Sequence, residues 1–105
     1  MDLEKFRALG LSEETLAELH KKGFEEPTEI QEKVIPILLG EKNDIVGQAQ
    51  TGTGKTAAFG LPILEKLEPD AGRIQAIVLV PTRELAIQVA EEISSFRGNR
   101  KCHII

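Results

Sequence analysis

Gly54, Lys55 and Thr56 close the run Ala49-Gln50-Thr51-Gly52-Thr53-Gly54-Lys55-Thr56. Glycines let a backbone curl until successive N–H groups point into one concavity that suits phosphate oxygens. A helix opening at Gly54 adds its partly positive N-terminus. The Lys55 ammonium can then reach β- and γ-phosphates, and the Thr56 hydroxyl can ligate Mg²⁺. The general pattern for such loops is a glycine, four free positions, then Gly-Lys-Ser/Thr, and here Ala49 stands where the first glycine would be. Alanine restricts positive φ, so the loop is expected to enter in an ordinary conformation. These residues predict a site for the triphosphate of a nucleotide with its Mg²⁺. A plain Gly/Thr-rich turn before a helix is the competing reading, and the Lys-Thr pair at the right spacing opposes it.

The elements around the loop fit that chemistry. Asp44-Ile45-Val46-Gly47 reads as a short apolar strand leading in, and a helix is expected from about Gly54 to Leu67, kinked or loosened by Pro62. Glu68-Pro69-Asp70-Ala71-Gly72 is a turn by composition. Ile74-Gln75-Ala76-Ile77-Val78-Leu79-Val80 is β-branched and nearly continuous, as a buried parallel strand would be. Thr82 caps a further helix with the apolar face Leu85, Ala86, Val89, Ile93 and Phe96 and a stop at Gly98. Lys101-Cys102-His103-Ile104-Ile105 opens another strand. Strand, helix, strand, helix, strand predicts βαβ units and a parallel sheet. The first 40 residues read differently, as helices. Ser12 caps one, with Glu13 and Glu14 in its first turn, Leu16 and Leu19 in apolar spacing and Gly23 as its end. A second starts at Thr28 and runs through Ile30, Val34, Ile35, Leu38 and Leu39 to Gly40, with Pro36 expected to bend or restart it.

Composition bounds the rest. At 105 residues, 41% hydrophobic and 29% charged, the chain is at most one small ordered domain rather than a disordered segment. Its single cysteine, Cys102, rules out an internal disulfide framework and suits a reducing, intracellular, cytoplasmic setting. No apolar run approaches membrane-spanning length, so no membrane association is expected. A net charge of −4 confines any nucleic-acid contact to a local patch.

Three stretches in one order resemble a known family. Ala49 to Thr56 reads A-x-T-G-x-G-K-T. Gly23-Phe24-Glu25-Glu26-Pro27-Thr28-Glu29-Ile30-Gln31 resembles the Q motif of DEAD-box ATP-dependent RNA helicases, with Phe6 as the isolated aromatic 17 positions before Gly23. Pro81-Thr82-Arg83-Glu84-Leu85-Ala86 looks like the family's motif Ia. The resemblance implies a helical Q-motif region over 1–40 and an incomplete RecA-like, P-loop ATP-binding domain over 41–105, with a parallel sheet flanked by helices. It implies that Phe24 stacks on adenine and that Gln31 bonds the exocyclic amine and N7. Lys55 and Thr56 would take catalytic roles on the phosphates and Mg²⁺. Thr82 and Arg83 would meet RNA backbone phosphates, which fixes register without reading sequence.

Each assignment has an ordinary counterpart. Thr28 and Gln31 form a Thr-x-x-Gln capping box that helix initiation alone explains. Phe24 and Phe6 could be core aromatics, Thr82 an N-cap, Arg83 and Glu84 first-turn charges, and Arg97, Arg100 and Lys101 a solvated helix end. His20, His103 and Cys102 lack metal-ligand spacing. Hydrolysis needs acidic residues that hold Mg²⁺ and position water, and no Asp-Glu-Ala-Asp or Ser-Ala-Thr stretch occurs in these residues. The resemblance covers roughly the first quarter of the two-domain core. The expectation is therefore the front of a longer enzyme, inactive as given, whose second RecA-like domain is a partner in ATP and RNA binding. The acidic-motif and Ser-Ala-Thr strands would lie between the phosphate-loop strand and the Val78 strand. Without them the sheet has a gap, apolar edges stay open and self-association is expected. The alternatives are another phosphate-loop ATPase such as a DNA helicase, or a truncated non-catalytic nucleotide- or RNA-binding module.

Overall fold

Five helices carry the structure, a computed structural model that describes residues 3–40, 45–47, 54–69, 72–100 and 102–105. They are α1 (Glu4–Ala8), α2 (Glu13–Lys21), α3 (Glu29–Gly40), α4 (Lys55–Lys66) and α5 (Arg83–Phe96).

Local chemistry sets their ends. The Ser12 hydroxyl accepts the Thr15 N–H at 3.3 Å and starts α2, whose Thr15, Leu16 and Leu19 turn inward. The helix ends in a reciprocal pair of bonds: the Phe24 N–H reaches the Leu19 carbonyl at 3.0 Å and the Gly23 N–H reaches that of His20 at 3.1 Å. This is a Schellman stop, which needs a left-handed residue, and Gly23 supplies φ +80°. It turns Phe24 back toward the core. Thr28 and Gln31 form the expected capping box. The Thr28 N–H donates to Gln31 Oε1 at 2.9 Å, and the Gln31 N–H donates to Thr28 Oγ1 at 3.4 Å. α3 then runs unbroken through Pro36. It does not restart there because the proline lies on the exposed face, where the carbonyl it leaves without a donor can be hydrated.

α4 is the central element. Ala57, Ala58, Gly60, Leu61, Pro62 and Leu64 are all buried, and the helix packs against α3 and against α5. A Cβ at Gly60 would sit 3.1 Å from Ile93 Cγ1, so the glycine lets α5 approach closely. One core joins Phe6, Leu11, Leu16, Leu19 and Ile35 from the N-terminal part to Ala57, Leu61, Leu64, Val89, Ile93 and Phe96.

The expected sheet is the main correction. Among the described residues there is no strand. Residues 45–47 and 74–80 lie outside regular structure, with Ile77 75% and Leu79 90% exposed, and Asp44 falls outside the described residues. A parallel strand exists only through ladder bonds to neighbours, and the described residues hold no adjacent strand to supply them. The first half of the α5 apolar face is correspondingly uncovered: Leu85 and Ala86 are exposed, while Val89, Ile93 and Phe96 are buried. Of the turn expected after α4, Asp70 and Ala71 lie outside the described residues. Gln75 bonds back to Glu68, accepting the Glu68 N–H at 2.8 Å and donating to the Glu68 carbonyl at 3.0 Å. At the end of the chain Cys102 and Ile104 face the core while His103 and Ile105 face solvent, a two-residue alternation without a ladder, and Lys101 falls outside the described residues.

Candidate functional site: the start of the phosphate-loop helix

Gly54 is the N-cap of α4 and holds φ +86°, a conformation that favours glycine. Its carbonyl accepts the Ala58 N–H at 3.1 Å, the first intrahelical bond, and also the Gln31 Nε2–H at 3.2 Å. Helix initiation at Thr28 accounts for the Gln31 Oε1 bond but not for this second one, which crosses 23 residues to the phosphate-loop helix. Gln31 is only 2% exposed, so the amide is committed to this position. A Cβ at Gly54 would lie 2.4 Å from Gln31 Nε2 and 3.1 Å from Thr28 Oγ1. The glycine is therefore required twice, for backbone handedness and for room.

Lys55 is exposed and Thr56 half-buried in the first turn of α4, where N–H groups lack helical partners. Ala49, Gln50, Thr51, Gly52 and Thr53 lie outside the described residues. Phe24 packs in an aromatic row, 6.1 Å from the Phe6 ring and 5.7 Å from that of Phe96, at interplanar angles of 60° and 80°. Neither neighbour lies parallel against it. The structure thus brings Gln31, Thr28, Gly54, Lys55 and Thr56 together and sets Phe24 in the row alongside Phe6.

The motif Ia residues stand apart, on the exposed N-terminus of α5. Thr82 Oγ1 accepts the Leu85 N–H at 3.1 Å, which realises the N-cap, and its own hydroxyl hydrogen remains available to an acceptor. Arg83 is exposed, and no carboxylate pairs with it among the described residues.

Sequence reasoning placed Arg97 and Arg100 at a solvated helix end, and the structure corrects this. Arg100 forms a 2.6 Å ion pair with Glu65, the two side chains 14% and 12% exposed, and Arg97 Nη1 donates to the Cys102 carbonyl at 3.0 Å. Glu65 also accepts from Ser12 and Thr15. Partners separated by 35 to 53 residues leave no local pattern that could have revealed them.

The sequence model of the DEAD/DEAH box helicase family matches residues 28–105. The chain belongs to this family. It is 52% identical over 99 residues to a probable ATP-dependent RNA helicase of Methanocaldococcus jannaschii, covering 94% of this chain and 27% of the relative. It is 54% identical over 103 residues to the ATP-dependent RNA helicase CshA of Listeria monocytogenes, covering 98% and 20%. This DEAD-box chain is also similar to the crystal structure of a DEAD box protein from Methanococcus jannaschii, with TM-score 0.85, 52% identity and coverage of 91% and 26%. It resembles Saccharomyces cerevisiae Dbp5 bound to RNA and ADP–BeF3 with TM-score 0.83, 40% identity and coverage of 89% and 24%. The chain thus spans about a fifth to a quarter of the length of these relatives. The surrounding architecture it matches is that of DEAD-box helicases, while the described residues contribute its helices and not its sheet.

Proposed function

We propose that this chain supplies the ATP-binding and RNA-facing front of a cytoplasmic ATP-dependent RNA helicase, in which ATP and RNA together close two RecA-like domains. The observation that carries the reading is the Gln31 amide held between the Thr28 N–H and the Gly54 carbonyl. A side-chain amide offers two hydrogens and two lone pairs. The fold uses one of each, and the remaining pair, one donor and one acceptor, matches N7 and the exocyclic amine on the adenine edge. Guanine presents a carbonyl where adenine has that amine, so the same amide favours ATP over GTP. Phe24, with no parallel neighbour on its ring, suits a stacking role.

Gly54, Lys55 and Thr56 fit a Mg²⁺-bound triphosphate. The left-handed cap leaves the carbonyl and first amides of α4 without a covering Cβ, Lys55 reaches outward, and the Thr56 hydroxyl offers an oxygen ligand for Mg²⁺. When bound, the nucleotide supplies the phosphoryl bond whose hydrolysis drives release. Thr82 and Arg83 present a donor and a cation at a helix N-terminus, which suits backbone phosphates. The family's acidic stretch is absent from these 105 residues, so the polypeptide as given binds nucleotide without turning it over.

Titration of the 105-residue chain with ATP and with GTP tests the reading. Binding of ATP, at least about tenfold weaker binding of GTP and loss of binding in Lys55→Ala are expected. Equal affinities would remove the role given to Gln31, and RNA-stimulated turnover by these residues alone would refute the separation of binding from hydrolysis.

A further inference from the structure

α4 starts at the phosphate loop, yet its own sequence does little to keep it straight. Gly60 sits in its middle, and Pro62 lacks the N–H that the Ala58 carbonyl would otherwise accept. Two external anchors hold this helix. At the near end Gln31 Nε2 donates to the Gly54 carbonyl. At the far end, eleven residues on and about 16 Å away at helical rise, the Glu65 carboxylate is the centre of a half-buried cluster. It accepts from the Ser12 hydroxyl at 2.9 Å, from the Ser12 N–H at 3.2 Å, from the Thr15 hydroxyl and from Arg100 Nη2 at 2.6 Å. The same Arg100 nitrogen donates to Thr15 Oγ1 at 2.6 Å.

The donors come from the start of α2 and from the segment after α5, the acceptor from the last turn of α4. Residues that precede the loop thus contribute to both anchors of α4, Ser12 and Thr15 at the far end and Gln31 at the near end, while Arg100 joins the far anchor from beyond α5. An ion pair that is only 12–14% exposed is sensitive to loss of one partner, because the other charge is left uncompensated. The neighbouring hydroxyls and N–H give the carboxylate the additional bonds that make such a pair hold its geometry.

We propose that Ser12, Thr15, Glu65 and Arg100 form a positioning cluster for the phosphate-loop helix, so that nucleotide affinity depends on side chains that never touch nucleotide. The inference rests on the ATP-binding reading for its functional half. Its mechanical half, that the cluster steadies α4 selectively, stands without it.

The experiment uses the full 105-residue chain and reads amide hydrogen exchange, ATP affinity and melting temperature together. Glu65→Gln keeps the shape and removes the charge. Its ATP dissociation constant is expected to rise about fivefold, the equivalent of one lost hydrogen bond. Protection at Ala58–Leu61 should fall about tenfold more than at Val89–Ile93. Thr15→Val, which preserves the Glu65–Arg100 pair, should do the same to a smaller extent and serves if Glu65→Gln does not fold. Leu16→Val thins the core without touching the cluster; it should lower the melting temperature, move both amide groups equally and leave affinity within about twofold. Equal loss of protection on α4 and α5 in Glu65→Gln, or an affinity no different from that of Leu16→Val, would overturn the proposal. If the wild-type chain binds no ATP, the functional reading fails and the exchange comparison still decides whether the cluster steadies α4.

Discussion

Replacing Gly54 with alanine puts the geometry at the head of α4 under direct test. The new methyl would fall 2.4 Å from Gln31 Nε2 and 3.1 Å from Thr28 Oγ1, well inside van der Waals contact. At φ +86° an L-residue also carries roughly 1–2 kcal/mol of backbone strain. Swinging the Gln31 amide aside relieves the collision but gives up its 3.2 Å bond to Gly54 and its 2.9 Å bond from Thr28, about 1 kcal/mol each. The sum, about 3–4 kcal/mol, is a large part of the roughly 5–15 kcal/mol that holds a domain together. It corresponds to a fall in melting temperature on the order of 15 °C. Gln31→Ala removes the collision with the amide and leaves the strain, so alanine at 54 should cost about 2 kcal/mol less in that background. Thermal melts and ATP titrations of the two single variants and the double variant give the coupling. If Gly54→Ala melts with the wild type, or if the two substitutions simply add, the close approach of Gln31 to the loop helix does not constrain the molecule as described.

Other consequences are equally direct. Arg83→Ala should weaken binding of single-stranded RNA uniformly across sequences and lower the salt slope by about one, with ATP affinity unchanged; electrophoretic or fluorescence titration at several salt concentrations measures both. Leu79→Lys should reduce concentration-dependent association in sedimentation, because it charges an apolar run at a residue that is 90% exposed in the folded chain; a wild type that is already monomeric at every concentration would refute this. The hydrogen bond from Arg7, helped by its charge, holds the Glu13 carboxyl below its ordinary value of 4.5 against a smaller opposing effect of burial. The pair's stabilisation is therefore fully present above pH 4.5 and disappears as pH falls through the lowered folded value. Wild type should melt slightly above Glu13→Gln at pH 6, and the two should converge in acid.

Much of this arrangement could be read along the chain because its signals are local. Ser12, Thr28 and Thr82 each lie within three residues of the group they cap, and Gly23 within three of the carbonyl its N–H closes. The capping box at Thr28 was equally legible. That Gln31 reaches Gly54 was not, because the bond depends on how α3 lies against α4. The Glu65–Arg100 pair was illegible for the same reason, and three basic residues near a helix end gave the ordinary impression of a solvated terminus. The strands fail differently. Ile74 to Val80 has the composition of a buried strand, but composition states a preference, and a ladder needs an adjacent strand that the described residues do not provide.

The turn at Gly23 has a further implication, which concerns handedness. A Cβ built there meets nothing within 4 Å, so the position is reserved by its φ of +80° and not by lack of space. A mirror-image residue prefers that region, as an L-residue prefers its reflection. In a chemically assembled chain, D-alanine at position 23 should keep the Schellman stop, hold Phe24 against Phe6 and Phe96, and restrict the unfolded chain more than glycine does. L-alanine at the same atom-for-atom cost in size should loosen the turn by roughly 1 kcal/mol. Two polypeptides identical in composition and bonding would then differ in stability through chirality at a single carbon.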